Sequence, residues 1–174
     1  MIDSAPGAMH RRRAIYAEAL PIVTAAAAAL ASLAFFRPWV VISAKINAPS
    51  LLEGGPSIFE MSGAALAGEG DSWVPWSYVT PIALVLILAV SCLRVFLQNG
   101  PVRVIYGMAL PALAIPILVW PAAALARVTH NLTHMQIGGA LVLRGWWWIY
   151  CLALGAIMVS GIADLVRGHH ARLR

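Results

Sequence analysis

Four apolar runs, each long enough to cross a bilayer, constrain this chain most: Ala19–Ala44, Tyr78–Leu97, Val104–Leu125 and Trp146–Val166. A hydrocarbon core about 30 Å thick needs ~20 helical residues at about 1.5 Å each. Backbone polar groups in lipid must be satisfied within their own segment, so such runs are helices and not open strands. The expected fold is therefore an all-α integral membrane protein, a four-transmembrane-helix bundle. Of 174 residues, 61% are apolar and 11% charged, which leaves no room for a separate soluble domain. The expected organisation is a basic N-terminus over 1–13, a membrane domain over 14–166 and a basic C-terminus over 167–174. External loops fall at about 45–76 and 126–144.

Charge sets the orientation. Arg11, Arg12, Arg13, Arg94, Arg103, Arg167, Arg172 and Arg174 lie on the side of the termini, against Arg37, Lys45, Arg127 and Arg144 on the other. Cytoplasmic loops carry the excess of Lys and Arg, so both termini are expected in the cytoplasm of a bacterial inner membrane. The net charge of +5 reads as this topology signal and not as a nucleic-acid footprint, with anionic lipid contact secondary. Glu53, Glu60, Glu69 and Asp71 sit in the first external loop. The first span follows a basic leader, but its apolar stretch exceeds the usual signal-peptide core, so it reads as a retained helix.

This threading gathers all seven tryptophans, Trp39, Trp73, Trp76, Trp120, Trp146, Trp147 and Trp148, at the external face. Indole rings favour the headgroup layer, but ordinary membrane proteins place them at both interfaces. Consecutive helical residues point about 100° apart, so Trp146, Trp147 and Trp148 cannot all face lipid and at least one must pack against protein. Tryptophans also anchor protein interfaces, which makes this rim the expected partner or lipid contact. Small residues let helices approach closely. They cover span one (Ala25–Ala29, Ala31, Ser32, Ala34) and span four (Gly155, Ala156, Ser160, Gly161), facing either neighbouring spans or another subunit.

Elsewhere, the run from Ser57 to Leu66 has helical apolar spacing and predicts a short interfacial helix in the first external loop. Arg37-Pro38-Trp39 closes or bends the first helix at the external surface, although apolar residues continue to Ile46, and Pro111, Pro116 and Pro121 predict a kinked third span. The turn Gln98–Pro101 makes spans two and three antiparallel neighbours. Cys92 and Cys151 lie toward opposite ends of their spans, too far apart for a disulfide.

Candidate chemistry is thin. His130 and His134 share a helical face at a metal-ligand spacing, but a third ligand would have to come from Glu69 or Asp71, and a pair alone is a weak metal candidate. Asn131-Leu132-Thr133 matches a glycosylation sequon by chance in a composition of bacterial type. Glu18 and Asp164 sit near the cytoplasmic interface, where Asp164 with Arg167 one turn on reads as an ion pair or anchor. Spans two and three carry almost no polar groups at mid-depth for transport. No catalytic residue and no cofactor site is expected, and the chain is not expected to be an enzyme.

An aromatic-Pro-Trp cluster (Phe36-Arg37-Pro38-Trp39) after span one, a moderate first external loop and a Trp-led, Gly-rich span four (Gly145–Gly161) resemble the small four-span membrane proteins of actinobacteria. The layout also looks like that of the claudins, without that family's paired loop cysteines. Within the actinobacterial group the chain is similar to accessory subunits of mammalian-cell-entry (Mce) type envelope lipid importers. That resemblance implies a non-catalytic accessory or regulatory subunit of a protein complex in the cell envelope, acting in lipid transport. Its partners would be other integral membrane subunits and membrane lipids. The alternatives are an accessory subunit of a respiratory complex, or a stand-alone lipid-binding protein or enzyme of the outer leaflet.

Overall fold

In a computed structural model of the chain, the described residues are 6–45, 57–68, 76–97, 100–134 and 138–172. In chain order they form α1 (Pro6–Phe35), β1 (Pro38–Lys45), β2 (Ser57–Ser62), α2 (Gly63–Gly68), α3 (Trp76–Phe96), α4 (Gly100–His134), β3 (Gly138–Leu143) and α5 (Gly145–Arg172). Three stretches are long and apolar enough to cross a membrane: Trp76–Phe96, Pro101–Asn131 and Gly145–His170. The apolar helix Ala19–Phe35 is shorter.

The first apolar run is not one helix. Pro38 has no N–H for the ladder, and α1 stops at Phe35. Beyond it Val40, Val41 and Ile42 are β-branched, stiff at χ1 and suited to a pleated surface. Residues 38–45 therefore leave the expected span as a strand. Pro38 occupies the first strand position, where a missing donor is tolerated.

The expected interfacial helix over 57–66 is corrected in the same way. Ser57–Ser62 pairs antiparallel with β1, and only Gly63–Gly68 is helical. Ser62 caps that helix, its Oγ accepting the Ala65 amide at 3.1 Å. Strand β3 pairs antiparallel with β1's other edge, giving the order β2-β1-β3. The third helix continues to His134, so most of the second external loop expected at 126–144 is α4 and β3. All three prolines of α4 lie within one helix.

Helices α4 and α5 pack along glycines. A Cβ on Gly107 would stand 2.7 Å from the Leu165 amide nitrogen, and one on Gly161 would stand 2.8 Å from Pro111 Cδ. The alanine face of α1 is internal: Ala28, Ala31 and Ala34 are fully buried where α1 meets α3 and α5. Thr24 and Ser160 join α1 to α5 in that layer. Thr24 Oγ1 commits its proton to the Leu20 carbonyl, so Ser160 donates to Thr24, at 2.5 Å. The core runs from Phe35, Trp39 and Tyr150 down through Leu84, Ile117, Leu154 and Ile157. Outside it, Ile82, Val85, Val119, Leu152, Val159 and Ile162 are exposed along the helices.

Candidate functional site

The sheet and α2 lie at the end of the bundle where α1 and α4 finish and α3 and α5 begin. This is the tryptophan-rich end, and the site there is built around Trp39. The register of β1 against β2 slips between Pro38 and Val40, which leaves Trp39 as a bulged residue. In a regular strand Trp39 and Val40 would face opposite ways, but a bulge re-aims a side chain. Both are buried here.

The Trp39 indole N–H donates to the Ala34 carbonyl at 2.7 Å. Ala34 stands four residues before Pro38, which has no N–H to offer, and its carbonyl accepts from this indole and from the Arg37 amide at 3.1 Å. Tyr150 makes an analogous bond one helix away. Its hydroxyl donates to the Ile117 carbonyl at 2.9 Å, and Ile117 stands four residues before Pro121. The rings of Trp39 and Tyr150 are 4.6 Å apart, with Trp147 at 5.2 Å and Phe35 at 5.9 Å from Trp39. Gly63 closes the cluster, because a Cβ there would run into the Trp39 ring.

A second aromatic pair ties α3 to α4. The Trp120 indole donates to Thr80 Oγ1 at 2.9 Å and stacks on Trp76 at 5.8 Å. The seven tryptophans expected at an interface thus divide. Trp39, Trp120 and Trp147 are buried in the protein's own core, and Trp76 and Trp146 are half-buried. Trp146 also carries the Arg37 guanidinium 5.6 Å from its ring. Trp148 is 57% exposed, and Trp73 lies outside the described residues. Ser160, also expected at an interface, is turned inward to Thr24, whereas a Cβ on Gly155 would meet nothing within 4 Å.

The outer face of the sheet mixes exposed apolar side chains with one ion pair. By register Val41, Ser43, Ile58, Glu60 and Val142 share it. Ile58 is 65% and Val142 56% exposed, and Phe59 on the edge strand is 55% exposed. Glu60 pairs with Arg144 across this face at 3.1 Å, both side chains half in solvent. An exposed pair of this kind contributes little to stability and mainly fixes charge placement.

At the opposite end, Asp164 does not pair with Arg167 as the spacing suggests. Arg94 of α3 meets it in a two-bond fork, Nε to Oδ2 at 3.0 Å and Nη2 to Oδ1 at 3.1 Å, with both side chains buried. The sequence carries no mark of this partner, which lies 70 residues away.

For the remaining candidates, His130 is exposed on α4, while the His134 side chain, Glu69 and Asp71 lie outside the described residues. Among the described residues no three His, Cys, Asp or Glu side chains converge as metal ligands. Cys92 and Cys151 are free thiols. No family model, curated protein or solved structure matches this chain.

Proposed function

We propose that this is a four-span inner-membrane protein with both termini in the cytoplasm, working as a non-catalytic accessory or regulatory subunit of a larger complex. The complex we favour is an envelope lipid importer. In this threading the three long helices and the Ala19–Phe35 stretch of α1 cross the bilayer, and local thinning accommodates the shorter α1 span. The sheet then stands outside the lipid, on the external side.

One observation supports the partner-binding role above the others: Ile58, Phe59, Val142 and Trp148 remain exposed at the sheet end of the bundle. Exposed apolar side chains along a helix in lipid are in their proper solvent, but on a sheet beyond the lipid they are not. Apolar patches of this kind mark a contact with protein or membrane. Among the described residues the two outer strands have unpaired edges that a partner strand can extend.

The test is affinity purification of the full chain in mild detergent, with identification of the subunits that accompany it. Trp148→Ala combined with Val142→Lys changes only exposed side chains, so the chain's own stability should move by no more than about 0.5 kcal/mol. Recovery of partners should fall severalfold. A lone chain in the wild type, or undiminished partners in the variant, would overturn the proposal.

A further inference from the structure

We infer that α3 is a lever, hinged at Pro81 near the sheet end and latched at its far end by the buried Arg94–Asp164 pair, so that release of the latch opens the bundle at that far end alone. Pro81 lies inside α3 and has no N–H for the Ser77 carbonyl, so the helix bends there at least cost. The hinge itself is pinned to α4. Thr80, fully buried, accepts the Trp120 indole at 2.9 Å, and Trp76 stacks on the same ring at 5.8 Å. Beyond the hinge the arm Ile82–Phe96 runs on for about 22 Å.

Along that arm the directional contacts are few. Ile82, Val85, Leu86 and Leu93 are exposed on its outer side. Ala83, Leu84 and Ile87 pack into the core, where apolar contact has no preferred direction. Ser91 is buried but turns its hydroxyl back to the Ile87 carbonyl of its own helix at 2.7 Å. Arg94, in the last turn, is therefore the one residue of the arm that makes a polar side-chain bond to another helix, among the described residues.

The other half of the latch stands on a fixed post. Asp164 belongs to α5, which is seated against α4 through Gly107 and Gly161 and joined to α1 by Ser160 and Thr24. A buried ion pair gains little over apolar residues of the same size, because desolvating two charges offsets their attraction. It does hold one geometry, and that hold is lost when either charge goes. A pair of this kind at the free end of a hinged arm gives two discrete arrangements, closed and open. The inference needs neither the partner complex nor the number of membrane crossings proposed above.

The experiment reads access to position 91, on the inner side of the arm, with a small water-soluble methanethiosulfonate. The full chain is used in detergent, with Cys92 and Cys151 changed to alanine. Ser91→Cys should react slowly while the pair is intact. Adding Asp164→Asn should speed that reaction by about tenfold or more, because loss of one partner of a buried pair moves the opening equilibrium at least that far. Ala83→Cys, buried beside the hinge, should change by less than about twofold under the same substitution, because local opening leaves the pinned end closed.

Arg94→Asp with Asp164→Arg rebuilds the pair in reverse, and should bring Ser91→Cys back to within about threefold of its slow rate. A Ser91→Cys rate indifferent to Asp164→Asn would overturn the latch. Equal acceleration at Ala83→Cys would show the whole bundle loosening and would overturn the hinge. A reversed pair as reactive as Asp164→Asn alone would overturn the role given to the charges.

Discussion

A proline inside or just after a helix removes one donor and leaves the carbonyl four residues earlier without its usual partner. In a low-dielectric interior that carbonyl is expensive to leave bare, at about 1–3 kcal/mol. At Ile117 the Tyr150 hydroxyl takes the missing donor's place, and at Ala34 the Trp39 indole joins the Arg37 amide on the carbonyl. Because the two rings touch each other, these bonds are also the centre of the aromatic core. Tyr150→Phe keeps the ring and removes the donor, so it should destabilise the chain by about 1–3 kcal/mol in detergent. The same change made on top of Pro121→Ala should have less than half that effect, because an alanine in place of the proline gives Ile117 back a backbone N–H. A thermal-shift double-mutant cycle reads the difference, and equal losses in both backgrounds would refute the repair. That Pro121 strips the Ile117 carbonyl was legible in the sequence. The identity of the repairing group was not, since Tyr150 comes from another helix.

Among the elements, the helices were the legible part because their apolar runs match a bilayer and a bundle at once. The strands were missed for a physical reason. Val40, Val41 and Ile42 continue the hydropathy of α1 without a break, so length and composition alone merge them with the span. Arg37-Pro38-Trp39 marked the close or bend of the first helix, the β-branching beyond it was the remaining signal, and tertiary pairing with β2 and β3 decides the outcome. The same blindness applies to charge: a local spacing rule joins Asp164 to Arg167, and the fold joins it to Arg94. Two buried charges stabilise the α3–α5 contact only while both are present. Removing one should destabilise by about 3–5 kcal/mol, while replacing both with apolar residues of similar size is often neutral or better. Asp164→Asn should therefore lower the melting temperature markedly, and Arg94→Met with Asp164→Leu should recover most of it. A double variant no more stable than the single ones would show that the pair does more than hold two helices together.

At the scale of the whole molecule, the question is whether α1 crosses the bilayer with the other three long helices. Its apolar stretch of Ala19–Phe35 spans about 25 Å at 1.5 Å per residue, somewhat short of a hydrocarbon core. The triplet Arg11–Arg13 precedes it in the sequence, and placing such charges at mid-membrane costs about 2.5–3.5 kcal/mol each on insertion scales. The triplet therefore stays on the side where it starts, and α1 either crosses completely or lies at the surface. The burial of Ala28, Ala31 and Ala34 against α3 and α5 supports crossing, because a surface helix could not seat that face between two spans. Crossing and non-crossing place the N-terminus on opposite sides relative to the sheet. Cysteines introduced one at a time at Ser4, Val142 and His170, with Cys92 and Cys151 changed to alanine, distinguish them through a membrane-impermeant maleimide. Four crossings label Val142→Cys in intact cells and Ser4→Cys and His170→Cys only in inverted vesicles. Three crossings move Ser4→Cys to the side of Val142→Cys, which would overturn the four-span threading and the cytoplasmic N-terminus while leaving the sheet on the external side.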